Sequence, residues 1–267
     1  DANLDVAAQI SKAENFLAQG VDVLILSPVD AKAMGPIVRQ AKEVGARVFT
    51  ESNPVPGADS YVGIDNHVGG VKAGEWFVEY AREKGIEPKI LVIGLPNFED
   101  CRQRVDGFKE ALEKGGMAYE IVQEVDGQGM KEKAFKAAQD ALTANPQINV
   151  IYGINDDSTT GGMAAYKAAG LDESKLTAIG FGFEGTVGQA ALTGDTTYRA
   201  ALAMFPNFVG ASLVDAAVKL AKGEELPPHY ETPTIVLTRD NIDQFYDRST
   251  EPPFALKTDA VRAMMPK

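Results

Sequence analysis

The chain has 267 residues, of which 45% are hydrophobic and 24% are charged, an ordinary composition for a globular protein. Its 38 acidic residues outnumber the 26 basic ones, and the net charge of −12 disfavours nucleic acid or an anionic membrane as a partner. No apolar run in the sequence reaches the roughly 20 residues that span a bilayer, and Cys101, the only cysteine, cannot form an internal disulfide.

The N-terminal stretch predicts a helix, a strand, a second helix and a second strand in chain order. In VAAQISKAENFLAQG, four apolar residues share one helical face: Val6, Ile10, Ala13 and Leu17. The apolar run VDVLILS (21–27) predicts a strand that is buried on both faces. Asp30 is placed to cap the next helix, which ends at Gly45, and ARVFTES (46–52) predicts the next strand.

The same alternation continues through the middle of the chain. SYVGIDN predicts a strand, followed by a helix through Trp76, whose helical spacing places it in the core. KILVIGLP predicts another strand, followed by a helix from about Glu99 to Lys114 and a strand at YEIVQEV. Strands that alternate with helices in this way are typical of parallel βαβ units.

Two long stretches have the same order of elements. FLAQGVDVLILSPVDAKAMGPIVRQAKEVGARVFTES runs from a helix end through a strand, a polar turn, a helix and a strand to a second polar turn. ALTANPQINVIYGINDDSTTGGMAAYKAAGLDESKLTAIGFGFEG repeats that order. The repetition predicts two similar α/β lobes rather than one long sheet.

Polar side chains follow the predicted strands. They are Ser27, Asp30, Glu51, Ser52, Asn53, Asn97, Asn155, Asp156 and Glu184. Ligands of open parallel sheets bind outside the carboxyl ends of the strands, so two facing lobes would place these residues around one cleft. Helix caps at strand-to-helix turns are the alternative for any single residue. Asp157 and Ser158 in particular are placed to cap a helix that starts near Thr160.

The chain resembles the type I periplasmic sugar-binding proteins, in their ribose-binding branch, over nearly its whole length. The resemblance is carried by the order and spacing of AENFLAQGVDVLILSPVD, YVGIDN, CRQRVDGFKEAL, ALTANPQINVIYGINDD, AIGFGFEG and YRAALAMFPNFVGASLVDAAVKLAKGE. It implies an α/β fold with two Rossmann-like lobes, each with a parallel sheet, joined by three crossing segments. The lobes would close on a sugar or sugar-like polyol and deliver it to the membrane permease of an ABC transporter.

The resemblance also implies a setting for the protein. We expect a binding protein rather than an enzyme, with no cofactor and no metal, acting as a monomer. It would be periplasmic, or extracellular as a membrane-anchored lipoprotein, with the permease and the sugar as its partners and no nucleic acid.

Carried over along the chain, the resemblance places the three crossings near Ile64–Asp65, Met204–Phe205 and Ile235–Val236. The N-terminal lobe would comprise residues 1–64 plus 205–235. The C-terminal lobe and tail would comprise residues 65–204 plus 236–267. The first β-α-β unit of the N-terminal lobe is expected to be absent, because the chain opens at what corresponds to the end of the family's second strand. That unit would supply aromatic rings that sandwich the sugar.

The same resemblance assigns candidate ligand-binding residues. The arginine of the family's RxxGF pattern matches Arg104, with Arg102 as the alternative if the register slips by two, and Asn155 matches the asparagine of its ND pair. Three departures make aldopentose recognition of the usual kind doubtful. Ser52 stands where the family has an arginine, Gly182 stands where it has a sugar-gripping aspartate, and a late glutamine is replaced by Met204. The predicted site comprises Glu51, Ser52, Arg104, Asn155, Asp156, Glu184 and Met204.

Other functions remain open on the sequence alone. The effector-binding core of a LacI-type repressor shares the RxxGF arginine, and a receptor for a small furanosyl quorum-sensing signal is possible within the binding-protein class. Cys101 lies at a predicted helix start, where the helix dipole would lower its pKa. The only histidines, His67 and His229, lie in no nucleophile motif, which disfavours an α/β enzyme or a zinc site. Phe183, Phe205 and Phe208 are alternative aromatic ligand contacts.

Overall fold

The structure, a computed structural model, describes residues 2–265. Residues 1, 266 and 267, which fall in the two predicted lobes, lie outside the described residues. The chain divides into two compact units, Asp1–Ile64 with Asn207–Thr232, and Asp65–Pro206 with Pro233–Lys267. The unit boundaries thus fall next to Ile64, Pro206 and Thr232.

The described helices and strands alternate along most of the chain. The helices are α1 (Val6–Ala18), α2 (Gly35–Glu43), α3 (Asn66–Lys84), α4 (Glu99–Lys114), α5 (Lys131–Ala144), α6 (Asp156–Ala168), α7 (Gly185–Thr193), α8 (Pro206–Ala221) and α9 (Thr258–Arg262). The strands are β1 (Val23–Leu26), β2 (Arg47–Thr50), β3 (Ser60–Gly63), β4 (Lys89–Gly94), β5 (Glu120–Asp126), β6 (Val150–Gly153), β7 (Thr177–Gly182), β8 (Tyr198–Ala203), β9 (His229–Glu231), β10 (Ile235–Leu237), β11 (Tyr246–Asp247) and β12 (Ala255–Leu256).

The first unit is built on a four-stranded parallel sheet in the order β1-β2-β3-β9. Its core contains Ala13 and Leu17 of α1, as the predicted helical face requires, packed with Leu24 and Val48 of the strands. One prediction is wrong here. The run 21–27 is not buried on both faces, because β1 lies at the edge of the described sheet and Ile25 is 43% exposed.

The start of α2 also differs from the prediction. Asp30 accepts hydrogen bonds from the backbone amides of Lys32 and Ala33, at 2.8 and 3.0 Å, so it caps a turn and not the helix. The helix begins only at Gly35, with Pro36 in its first turn. Proline has no N–H to satisfy and its fixed φ suits a helix start. The helix therefore begins where proline allows it.

The second unit contains a six-stranded sheet in the order β10-β8-β7-β6-β4-β5. The five strands from β8 to β5 are parallel, which confirms the predicted βαβ units, and β10 is antiparallel to β8. Every residue of β6 and β7 is buried, as expected for strands covered on both faces. Trp76 is half-buried and packs against the core, stacked on Tyr80 with 4.9 Å between ring centroids. No helix within residues 2–265 is long and apolar enough to cross a membrane.

Candidate ligand-binding site

The predicted residues of the second unit lie at one edge of its sheet. The strands β8, β7, β6 and β4 are adjacent and parallel, so their carboxyl ends share that edge. Met204, Glu184 and Asn155 follow the first three of these strands, and Arg104 lies in the helix that follows the fourth. The topology therefore brings four residues that are far apart in sequence to the same side of the unit.

Arg104 is held by three hydrogen bonds and is only 8% exposed. Its Nε donates to Oδ1 of Asn66 at 2.9 Å, and Nη1 donates to the carbonyl oxygen of Ile154 at 2.9 Å. Nη2 contacts Oδ2 of Asp100 at 3.5 Å. The guanidinium carbon lies 4.4 Å from the ring centroid of Phe181. A guanidinium has five N–H donors, so these contacts fix its plane while leaving donor capacity for a bound hydroxyl group.

Close packing of α3 against α4 brings Arg104 within hydrogen-bond distance of Asn66. A Cβ on Gly70 would lie 2.2 Å from the carbonyl oxygen of Arg104, and a Cβ on Gly107 would lie 2.1 Å from that of His67. Neither position tolerates a side chain without movement of the backbone. The two glycines let the helix backbones meet, and Asn66 at the start of α3 then lies within reach of the arginine.

Arg102, the alternative arginine, has a different environment. It is exposed, it forms an ion pair with Glu99, and it donates to the carbonyl oxygen of Pro96 at 2.5 Å. It lines a surface cavity of about 390 Å³ in the same unit. The buried and constrained arginine of α4 is thus Arg104.

Asn155 caps α6, which begins one residue later. Its Oδ1 accepts from the backbone amide of Ser158 at 2.8 Å, and its Nδ2 donates to the carbonyl oxygen of Gly129 at 3.0 Å. The predicted caps, Asp157 and Ser158, and the predicted start near Thr160 are therefore wrong. An extended residue whose side-chain oxygen reaches the third amide of the helix is the preferred cap, and Asn155 has that geometry.

Asp156 is 6% exposed, and protein donors bond both of its carboxylate oxygens. Oδ2 accepts from the backbone amide of Glu184 at 2.7 Å, and Oδ1 accepts from the hydroxyl of Tyr198 at 2.5 Å. Burial raises the pKa of Asp156 to about 7, because it disfavours the charged form more than these two hydrogen bonds favour it. No pattern in the sequence points to Tyr198, which lies 42 residues from Asp156.

The turn between β7 and α7 directs the carboxylate of Glu184 toward Gly182. A Cβ on Gly182 would lie 3.2 Å from Oε1 of Glu184 and 3.4 Å from Oδ2 of Asp156. Gly182 has φ of +107°, a conformation that suits glycine. The exposed side chain of Glu184 thus places its carboxylate next to Gly182, which has no side chain of its own. Met204 is half-buried, and its backbone amide donates a 3.1 Å hydrogen bond to the carbonyl oxygen of Gly182.

The aromatic side chains at these strand ends are buried. Phe183 and Phe205 are both 0% exposed and have positive φ values of 55° and 50°. Phe183 packs edge-on against Tyr246 with 5.3 Å between ring centroids, and the ring centroids of Phe205 and Phe245 lie 5.7 Å apart. Phe208, the third candidate, is 6% exposed. Phe183 and Phe205 anchor their turns in the core, and all three phenylalanines present little ring surface to a ligand.

The first unit has its own group of polar side chains after β1 and β2. Oε2 of Glu51 accepts from the hydroxyls of Ser27 and Ser52, both at 2.8 Å. Ser52 has a positive φ of 64°, and its carbonyl oxygen accepts from Tyr61 at 3.3 Å. The sequence did not single out Gln9, which bonds the backbone of residues 27 and 29 and so fixes the turn after β1.

Cys101 lies in the first turn of α4, but its pKa is not lowered. Burial raises the pKa of this thiol to about 12, because the desolvation of a thiolate outweighs the attraction of Arg104. The predicted effect of the helix dipole is therefore overridden. Within residues 2–265, no group of three or more His, Cys, Asp or Glu side chains could hold a metal ion.

Known proteins resemble this chain in sequence and in fold. The family model described as a periplasmic binding protein domain matches residues 1–225. The ribose import binding protein RbsB of Salmonella typhimurium is 25% identical over 233 residues, which cover 86% of this chain and 76% of that protein.

Two solved structures share the fold. An ABC transporter solute-binding protein from Mycobacterium smegmatis with bound glycerol has a TM-score of 0.82 and 28% identity, over 96% of this chain and 87% of that one. The Caulobacter myo-inositol binding protein bound to myo-inositol has a TM-score of 0.79 and 26% identity, over 91% and 83%. The chain therefore belongs to the periplasmic binding protein domain family, and its resemblance to the type I periplasmic sugar-binding proteins is confirmed.

Proposed function

We propose that this chain is the solute-binding protein of an ABC transporter and binds a sugar or sugar-like polyol. The residues of the predicted N-terminal lobe, Glu51 and Ser52, would contact the ligand together with those of the C-terminal lobe. Hinge closure of the two lobes would enclose the ligand, and the closed protein would deliver it to a membrane permease. The protein would act in the periplasm or outside the cell, as a monomer and without catalysis.

The observation that carries this proposal is the set of hydrogen-bonding groups at the carboxyl ends of adjacent parallel strands. Arg104 offers donors in a fixed plane, and Glu184 offers a carboxylate acceptor beside Gly182. A hydroxyl group both donates and accepts, so a donor fork and a carboxylate at one sheet edge suit a molecule with several neighbouring hydroxyls. The relatives named above bind ribose, glycerol and myo-inositol by their descriptions, all of which are polyhydroxylated.

Ligand choice should differ from that of a protein with an aspartate at position 182. The carboxylate of Glu184 comes from a residue two places later and on a longer side chain, and the side chain at position 204 is a thioether. We therefore expect a polyol or a sugar other than ribose to bind more tightly than ribose.

Isothermal titration calorimetry and thermal shift against D-ribose, myo-inositol, glycerol, hexoses and nucleosides test the proposal. A sugar at 100 times its dissociation constant should stabilise the protein by about 2.7 kcal/mol. Glu184→Gln should weaken binding roughly tenfold, whereas Glu132→Gln, at an exposed position of α5, should leave it unchanged. If no polyol shifts the melting temperature, the proposal is wrong.

Closure is tested separately by small-angle scattering with the sugar that binds. A ligand can favour a closed state only through contacts that it makes there and not in the open state. We expect the radius of gyration to fall on saturation. An unchanged radius with tight binding would reject hinge closure while leaving sugar binding intact.

A further inference from the structure

We infer that Asp156 and Tyr198 form a buried pair that holds the β7–α7 turn in place, so that Asp156 positions Glu184 and does not itself contact the ligand. The inference rests on the proposed function in one respect, since Glu184 is there a proposed ligand contact. The pair itself stands on contacts within the second unit.

Four segments of the chain converge on the carboxylate of Asp156. The residue is the first of α6, and its two oxygens accept from the hydroxyl of Tyr198 in β8 and from the amide of Glu184 in the turn. The fourth segment is α7, where a Cβ on Gly188 would lie 2.3 Å from Cγ of Asp156. A carboxylate that is 6% exposed and bonded on both oxygens has little capacity left for a sugar.

Glycines make room for both members of the pair. A Cβ on Gly180 of β7 would lie 1.6 Å from the hydroxyl oxygen of Tyr198, so the tyrosine ring reaches across a strand position that has no side chain. Gly188 leaves the corresponding space for Asp156 on α7. The two glycines lie on β7 and α7, and Tyr198 and Asp156 occupy the space that side chains at these two positions would take.

The turn that the pair holds has three residues with positive φ, and for Phe183 that conformation is unfavourable. Gly182, Phe183 and Gly185 have φ values of +107°, +55° and +54°. A phenylalanine in the left-handed region persists only where surrounding contacts hold it. Phe183 is held through its buried ring against Tyr246, and the amide of the next residue is held by Asp156. The Met204 amide also bonds the carbonyl of Gly182 at the start of the turn. Without the Asp156 contact, the turn would lose the bond that holds the backbone of Glu184 itself.

The charge of Asp156 should control how firmly the turn is held. The groups that face it are Asp157 on its own helix, Glu184 in the turn, Tyr198 on β8 and Tyr246 on β11. Burial is the largest cause of the raised pKa of Asp156. The hydrogen bonds from Tyr198 and the Glu184 amide lower this pKa, and the negative charges of Glu184 and Asp157 raise it. A hydrogen bond to a carboxylate is shorter and stronger than one to a neutral carboxyl group. Ionisation should therefore tighten the bond to the Glu184 amide.

Nuclear magnetic resonance of the ligand-free protein tests the pair directly. The amide proton of Glu184 should shift downfield as pH rises, with a midpoint at about 7. Asp156→Asn should abolish this titration. Tyr198→Phe keeps the ring but removes a donor to the charged form, so the midpoint should rise. Asp157→Asn should retain the titration, and Tyr166→Phe on α6 should leave the midpoint unchanged.

An amide resonance of Glu184 that does not titrate in the wild-type chain would overturn the inference, as would an unaltered midpoint in Tyr198→Phe. The phenylalanine variant preserves packing, so it remains informative if Asp156→Asn does not fold.

Calorimetry with D-ribose and myo-inositol at pH 8 tests the positioning role. Asp156→Asn should weaken binding of the sugar that binds by roughly tenfold, and Asp157→Asn should not weaken it. Wild-type affinity in Asp156→Asn would overturn the positioning role, and loss of all measurable binding in a folded variant would make Asp156 a ligand contact instead. If neither sugar binds the wild-type chain, the proposed function fails, and the Glu184 titration still decides whether the pair exists.

Discussion

The Nε–H of Arg104 donates to Oδ1 of Asn66 across 2.9 Å and so joins the middle of α4 to the first residue of α3. The same guanidinium bonds the carbonyl oxygen of Ile154, directly before the residue that caps α6. Arg104 therefore connects two helices and the β6–α6 turn of the second unit. A residue with this role should affect stability as well as binding.

Arg104→Ala should lower the free energy of unfolding of the ligand-free protein by about 1.5–3 kcal/mol, the usual value of hydrogen bonds to a charged group. The substitution leaves Oδ1 of Asn66 and the carbonyl of Ile154 without their buried donor. Urea denaturation followed by circular dichroism measures the change. Binding of the sugar found by the screen should fall ten- to a hundredfold.

Arg102→Ala is the matched control on the same helix. Arg102 is exposed and its ion pair with Glu99 lies in solvent, so its removal should change the free energy of unfolding by less than about 0.5 kcal/mol. Equal losses in the two variants would contradict the distinction between a buried connecting arginine and a surface one.

Periodicity and strand-end polarity predicted the alternating elements and the strand-end residues Asn155, Asp156 and Glu184, because both follow from local sequence. Arg104 and Met204 came from the family resemblance. The partners of those residues could not be predicted in the same way. Asn66 lies 38 residues from Arg104, and Tyr198 lies 42 residues from Asp156. Which side chain bonds which depends on helix packing and strand order, and a single sequence states neither.

Two of the wrong predictions have a shared physical cause. The sequence predicts the cap of α6 two or three residues after Asn155, and it predicts a lowered pKa for the thiol of Cys101. Both expectations came from rules for isolated helices. In the folded unit, Asn155 also reaches Gly129, and burial dominates the thiol. Tertiary contacts decide between local alternatives that the sequence leaves nearly equal.

Gly107→Ala should destabilise the protein, because its new Cβ would lie 2.1 Å from the backbone oxygen of His67 and the two helices would have to separate. We expect a loss of about 1–3 kcal/mol in the free energy of unfolding. Denaturant titration measures it.

Gly210→Ala is the control for this substitution. Gly210 lies within α8, and no atom within 4 Å of its added Cβ opposes a side chain. Since alanine favours a helix by up to about 1 kcal/mol over glycine, the variant should be neutral or more stable. A loss of stability here equal to that of Gly107→Ala would contradict close packing as the cause, because a Cβ at position 210 meets no neighbouring atom within 4 Å.

Cys101 should react slowly with thiol reagents in the native protein. Its thiol is 6% exposed and burial raises its pKa to about 12, so little thiolate exists at pH 8. We expect a rate at least about 100-fold below that of the same chain in guanidinium chloride. Absorbance assays with a disulfide reagent compare the two, and a fast native reaction would show that the first turn of α4 opens readily.

The pH dependence of stability should report the buried Asp156. Its pKa in the folded protein is raised from an ordinary value of 3.8 to about 7. Between those values the folded chain binds a proton that the unfolded chain has lost, so the free energy of unfolding falls as pH rises, by up to about 1.4 kcal/mol per pH unit. Above pH 7 both states are ionised and this contribution becomes constant. Urea denaturation at half-unit steps from pH 4.5 to 8.5 measures the slope.

Asp156→Asn should remove this slope, because an amide does not titrate. Asp157→Asn should retain the slope, since the hydrogen bonds from Tyr198 and the Glu184 amide go to Asp156 and not to Asp157. The carboxylates of Asp172 and Asp243 have lowered pKa values from the hydrogen bonds of Ser174 and Arg248, so their contributions are lost only as pH falls below about 4. They therefore lie outside the measured window. A wild-type stability that rises between pH 5 and 7 would mean that Asp156 is ionised throughout, with its two hydrogen bonds outweighing the cost of burial.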